Sequence, residues 1–285
     1  MANVFEPRTD LFPATNRPTA PGMHVDKTKP KSTDIVKIDY PDGSYLLVSG
    51  VRRERHRRML DFLIGYAPPI RLCDGNVAFF FDRTRAAEAV FSDKRQYTRV
   101  EALLEGEMQR IQFAFRRPGE GDFDERSCSP LVTSYKRPYR PGDDGILDAL
   151  ITFYGYEPEA LNGLSYAVLS REYIEHISGQ FSMKLCYAPA LPIIFEMGEV
   201  AASIARYAIS NEYLGDHPLH RVLDEIGAAG RGKSRETAIK DLRFGESAEL
   251  LGKLGISIKP KGPLGQLFLL YDSKRADVFQ SLYYN

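Results

Sequence analysis

The chain has 285 residues, 43 % of them hydrophobic and 27 % charged, with 38 basic side chains balancing 38 acidic ones. That length allows two compact domains with buried cores, and no apolar run approaches the roughly 20 residues that span a bilayer. The N-terminal MANVFEPRTDLFPA lacks the apolar core of a signal peptide, and Cys73, Cys128 and Cys186 lie far apart without a C-x-x-C pair, so a membrane span, export, disulfides and a zinc site are not expected and a cytoplasmic setting is.

Neutrality hides an asymmetry. Residues 1–140 carry 24 Lys and Arg against 19 Asp and Glu, and residues 141–285 carry 14 against 19. Inside the acidic half, residues 231–261 hold eight bases and four acids. Such a cluster suits a local polyanion footprint and suits a solvated helix face equally well.

Residues 1–34 contain five prolines and no periodicity, which reads as a flexible tail. IVKIDYPDGSYLLV predicts a hairpin around an Asp-Gly turn. RRERHRRMLDFLIGYA spaces Met59, Phe62, Leu63 and Tyr66 as a helix; its basic run is read as phosphate anchoring or a solvated helix start. AFFFD is a short strand or the entry to a small helix through RTRAAEAVF. QYTRVEALLEGEMQRI then puts Val100, Leu103, Leu104, Met108 and Ile111 on one stripe, the clearest amphipathic helix of the chain. IQFAFRRPGEGDFDE is a strand ending in a Gly-rich turn, with LVTSYKRPY as the returning strand.

Three helices followed by a hairpin with arginines at its tip is the layout of a winged helix. After the linker RPGDDG the order repeats. LSYAVLSREYIEHIS and FSMKLCYAPALPIIF supply strand-like runs and a short helix. EMGEVAASIARYAISNEYL, HPLHRVLDEIG and GKSRETAIKDLRFGESAELLGKLG are helices, the last ending at Gly255. SIKPKGPLGQLFLLYD is a hairpin. In the last helix Arg243 falls among Ile239, Leu242, Leu250 and Leu254 on an ideal wheel, so a break is expected near Phe244-Gly245. The predicted fold is α+β: a tail (1–34), a winged-helix domain (35–140), a linker (141–160) and a second winged-helix domain (161–285).

GAAGRGKS, Gly227–Ser234, matches the phosphate-loop pattern G-x-x-x-x-G-K-[ST]. Such a loop needs a buried parallel strand before it and backbone N–H groups around the phosphates. Here HRVLDEIG puts Asp224 and Glu225 just ahead of Gly227, where they oppose an anion, and only 51 residues follow Ser234, too few for the rest of a nucleotide-binding sheet. The glycines then shape a turn between helices, with Ser234 as an N-cap and the helix start offered to DNA phosphate.

At this point the chain resembles the tandem winged-helix replication initiators of theta-replicating plasmids, the TrfA and RepA kind. The likeness rests on PRTDLFPA with Arg8, Leu11 and Phe12, on Tyr97-Thr98-Arg99 with VEALLEGEMQRIQ, on LSREYIEHISG opening the second domain, and on AIKDL and LGKLGI in the closing helix. It implies a non-enzymatic protein that binds repeated sites in double-stranded DNA at a plasmid origin and helps open it. It also implies recruitment of host helicase and sliding clamp, and homodimerisation. The alternatives are a nucleotide-binding NTPase using Gly227–Ser234 and a plasmid-borne transcription regulator.

The DNA-contacting residues expected on this reading are Arg95 and Arg99 at the start of the first recognition helix and Arg116 and Arg117 on its wing. In the second domain they are Arg231, Lys233, Ser234, Arg235 and Lys240 at the helix, with Lys259 and Lys261 on the wing. No cofactor and no metal are expected. His217 and His220 read as a first-turn surface pair, Asp122–Glu125 as a solvated wing tip. No H-x-H pair, Ser/His/Asp set or Cys/His set stands out by spacing.

Overall fold

The computed structural model describes residues 36–39, 43, 45–50, 53–116, 119, 128–136, 138–174, 188–210, 216–226, 232–276 and 278. The expected tail, with Arg8, Leu11 and Phe12, lies outside them. Helices and strands are mixed in an α+β fold. Apart from its first thirty residues the chain divides into two compact units, residues 31–51 with 55–180 and residues 52–54 with 181–285.

The first unit opens with a hairpin, β1 (Val36–Asp39) and β2 (Tyr45–Ser49), followed by α1 (Glu54–Tyr66). A second hairpin joins β3 (Pro69–Arg71) to β4 (Val77–Phe81). Asp82 then starts α2 (Arg83–Phe91): its side chain accepts the Thr84 and Arg85 amides at 2.7 and 3.0 Å, satisfying donors the first helical turn leaves orphaned. Ser92, at φ 57, ends that helix. AFFFD is thus both the strand and the cap of the helix after it.

The stripe from Val100 to Ile111 is buried throughout, but its backbone is not one α-helix. α3 (Tyr97–Glu101) widens into a π-helical stretch, Ala102–Glu107, and tightens to a 3-10 turn, Met108–Arg110. Next come β5 (Gln112–Arg116), β6 (Ser129–Pro130), β7 (Val132–Lys136), α4 (Gly145–Phe153) and β8 (Ser165–Leu169).

Two antiparallel sheets result, in the orders β1-β2-β5-β6 and β3-β4-β8-β7. The expected return of β7 onto β5 is not made. β5 lies between β2 and β6, and β7 pairs with β8 in the other sheet. The switch occurs at Leu131, whose N–H donates to the Ile111 carbonyl at 2.7 Å and whose carbonyl accepts the Ser170 N–H at 3.2 Å.

The unit also extends past the expected boundary at residue 140. Within residues 141–160, Asp144 caps α4 through the Ile146 and Leu147 amides, and Leu147 and Ile151 pack with Ile70, Phe80, Leu161 and Val168. The Pro-Gly-Asp composition signals a helix start here rather than a linker. β8, expected to open the second domain, is an inner strand of the first unit. β4 and β8 are buried along their whole length, which requires cover on both faces and explains their near-continuous apolar runs. Each fully buried Phe, such as Phe79 or Phe80, contributes about 1.5–3 kcal/mol.

The second unit runs through α5 (Leu191–Glu196), α6 (Glu199–Ser210), β9 (His217–Pro218) and α7 (Leu219–Glu225). It continues through α8 (Lys233–Phe244), α9 (Glu246–Lys253), β10 (Ile256–Lys261) and β11 (Gln266–Tyr271). The sheet has the order β10-β11-β9, because the two-residue β9 adds to the outer side of β11. The expected helix break falls at Gly245, where any Cβ would collide with the Asp241 carboxylate. Asp241 in turn accepts the Ser247 hydroxyl at 2.5 Å, tying the two helices across the break. Gly255, at φ 72, stops α9 as expected.

Candidate nucleic-acid interface

α8 has two chemically distinct sides. Arg235, Ala238, Ile239 and Leu242 form the inner one, fully or partly buried. Lys233, Thr237, Lys240 and Phe244 recur at helical spacing on the outer one, all exposed. Phe244 is 70 % exposed and carries the Arg243 guanidinium over its ring at 4.5 Å. Sequence reasoning flagged Arg243 only as a misfit on the wheel. The break at Gly245 resolves it, since α8 and α9 are separate helices with separate faces.

Gly232, at φ 63, is the residue that caps α8, and its carbonyl accepts the Arg235 and Glu236 amides at 2.9 and 3.1 Å. Ser234, expected as the N-cap, therefore sits in the first turn and is exposed there. Arg235 faces inward, with its guanidinium 2.6 Å from Asp224 and 2.7 Å from the His220 carbonyl. Asp224, the acid that opposes a nucleotide phosphate, is thus the counter-ion that docks α8 on α7. Arg231 lies outside the described residues.

Lys259 and Lys261 are exposed on the same face of β10, two residues apart. Lys261 pairs with Asp216, which leaves Lys259 as the more available cation of the two. The β10–β11 turn closes with Gly265 N–H donating to the Gly262 carbonyl at 3.1 Å and holds Leu264 outward, 94 % exposed. His217 is half-buried against the Tyr207 ring at 5.6 Å, and Pro218 stands just before α7. Among the described residues no group of three His, Cys, Asp or Glu could hold a metal ion.

In the first unit Arg95 is held by Asp93 at 3.1 Å with its side chain 87 % exposed. The hydrogen bonds from Arg95 lead the causes that hold the Asp93 carboxyl below its ordinary value. Arg99 is exposed, donates to the Gln96 side chain and stacks over Phe91 at 4.6 Å. Both are presented at the head of α3, off its buried stripe. Arg116 is half-buried on β5 opposite Tyr45. Arg117 and Asp122–Glu125 are outside the described residues.

From His56 onward the RRERHRR run is not a solvated helix start, although Arg53 is exposed. His56, Arg57 and Arg58 are 2 %, 4 % and 9 % exposed. Arg57 meets the sealed Asp61 at 3.0 Å, and Glu107 receives Arg55 and His56 at 2.5 and 2.8 Å. Burial pulls the Glu107 carboxyl up, but the hydrogen bonds and charges of Arg55 and His56 together bring it below the ordinary glutamate value.

No described helix is long and apolar enough to cross a membrane. In comparisons with known protein families, curated proteins and solved structures, the chain matched none.

Proposed function

We propose that the protein is a sequence-specific DNA-binding initiator of plasmid replication, with the second unit as a winged helix. The observation that carries this is the order α6, β9, α7, α8–α9, β10, β11 with β9 on the outer side of β11. That order supports reading the unit as a helix-turn-helix followed by a β-wing. On this reading α8 meets DNA through Lys233, Ser234 and Lys240, with Arg243 and Phe244 at its far end, and Lys259 and Leu264 belong to the wing. Arg95 and Arg99 add a second contact from the first unit, whose helices α1, α2 and α3 keep the expected order ahead of β5 and β6.

The nucleotide-binding alternative needs a strand leading into Gly227. Residues Leu219–Glu225 are helical, and the sheet of that unit is antiparallel. Recruitment of helicase and clamp, dimerisation and origin opening follow only from the resemblance to plasmid initiators.

The test is binding of the full chain to direct repeats cloned from beside its own gene, across a salt series. Selective binding that weakens as salt rises is expected. Absence of a sequence-selective complex would overturn the reading. In parallel, ATP binding that is abolished by Lys233→Ala would favour the enzyme instead.

A further inference from the structure

We infer that the outer face of α4, with the cleft at its N-terminal end, docks a basic, apolar-anchored segment of a partner protein. This surface lies in the first unit and is independent of the DNA-binding reading. Residues 141–160 contain five acids, Asp143, Asp144, Asp148, Glu157 and Glu159, and no base. The same stretch exposes apolar surface. Ile146 and Phe153, seven residues apart and so on one side of α4, are 70 % and 80 % exposed, and Tyr154 packs edge-on to Phe153 at 5.4 Å. The opposite side of α4 is already used, since Leu147 and Ile151 are in the core. A helix apolar on both sides is characteristic of one covered on both sides.

The cleft tells what kind of group the cover brings. It has a volume of about 540 Å³ and is lined by Glu101, Glu105, Asp143 and Asp144, against Lys136 and Arg140 as its bases. Tyr166, 8 % exposed, forms part of its wall, and its hydroxyl makes no hydrogen bond among the described residues. Burial and the charge of Asp144 push the Tyr166 phenol up, so it stays neutral. A neutral phenol oxygen is an acceptor for an ammonium or guanidinium N–H, and tyrosine rings and carboxylates both favour a cation. The cleft therefore has room and chemistry for a Lys or Arg side chain, while Ile146 and Phe153 await an apolar one.

Charge decides between occupants. Nucleic acid is disfavoured, because residues 141–160 hold five acids and no base and the four carboxylates lining the cleft outnumber Lys136 and Arg140 among its described residues. A second copy of the chain, meeting this face through a two-fold axis, would set the same acids against each other. A basic segment with apolar anchors satisfies both halves of the surface.

The experiment titrates the full chain with a fluorescein-labelled amphipathic peptide of Lys, Arg and Leu, and with its counterpart carrying Glu for each base, following anisotropy. Saturable, salt-sensitive binding of the basic peptide alone is expected. Phe153→Ser, and separately Glu105→Gln with Asp143→Asn, should each weaken it about tenfold. These positions are exposed, so the fold is retained; unchanged far-UV circular dichroism checks this. No saturable binding, or equal binding by all variants, overturns the inference. So does a Phe153→Ser variant that sediments as a monomer when the parent is a dimer and binds the peptide as the parent does, since the face then belongs to a second copy.

Discussion

In the first unit Arg57 and Asp61 meet at 3.0 Å with both side chains almost sealed from water, whereas in the second Lys233 and Lys240 stand exposed on the outer face of α8. The two sequences, RRERHRR and GRGKSRETAIK, are comparably basic. Their fates diverge because of where the acids fall. Asp61 lies one helical turn after Arg57, and the folded chain brings Glu107 to Arg55 and His56, so these three side chains of the run are paired internally. Among the described residues, the ion pair that α8 makes is that of Arg235 with Asp224, on its inner side. The second unit is not without a buried cation: Arg206, 1 % exposed, is held by Glu54 at 2.8 Å. A count of bases along a chain thus locates a polyanion surface only after the acids within a turn, or across the fold, have been subtracted.

The comparison breaks most decisively at Asp61. Asp61→Ala takes an acceptor from a buried guanidinium and is expected to cost about 3–5 kcal/mol in urea unfolding followed by circular dichroism. A loss below about 1 kcal/mol would mean that Arg57 behaves as a surface residue. On the other side, Lys233→Ala combined with Lys240→Ala should leave stability unchanged. It should flatten the dependence of log affinity for DNA on log salt by about 2. An unaltered slope would remove α8 from the interface.

Acid titration sharpens the contrast further. The Glu107 carboxyl lies below its ordinary value, so its contribution is full above the reference pKa of 4.5 and is lost as pH falls through the lowered folded value. Glu107→Gln should remove this part of the acid sensitivity, read as a flatter profile of unfolding midpoint against pH below 4.5. The smallest effect belongs to the Arg235–Asp224 pair. Either Ala variant should cost about 0.2–1 kcal/mol, with small and similar changes in DNA affinity. A large loss from Arg235→Ala, with a gain from Asp224→Ala, would make Arg235 a phosphate ligand after all.

Local pattern was legible where a single element decides its own fate. The stripe Val100, Leu103, Leu104, Met108, Ile111 is buried in full, and the break at Gly245 and the stop at Gly255 fall where the wheel and the glycines place them. Pairing across the chain was not. The Pro-Gly-Asp stretch before α4 looks the same whether it links domains or leads into a capped helix, and only the burial of Leu147 and Ile151 distinguishes the two. The assignment of β7 and β8 to one sheet is a long-range choice that periodicity cannot see. At the proposed DNA interface Lys233, Lys240, Lys259, Arg95 and Arg99 were readable as exposed bases. The inward turn of Arg235 depends on Asp224, eleven residues earlier on another helix.

Leu131 has a consequence for how this protein can change over time. It is the single residue between β6 and β7, and its two backbone hydrogen bonds reach strands or loops of both sheets. Side chains alternate along a strand, so an insertion or deletion of one residue there would invert the facing of the segments on either side. Substitution at this seam is a matter of volume, but its length is fixed, and any lengthening of the first unit has to be accommodated elsewhere.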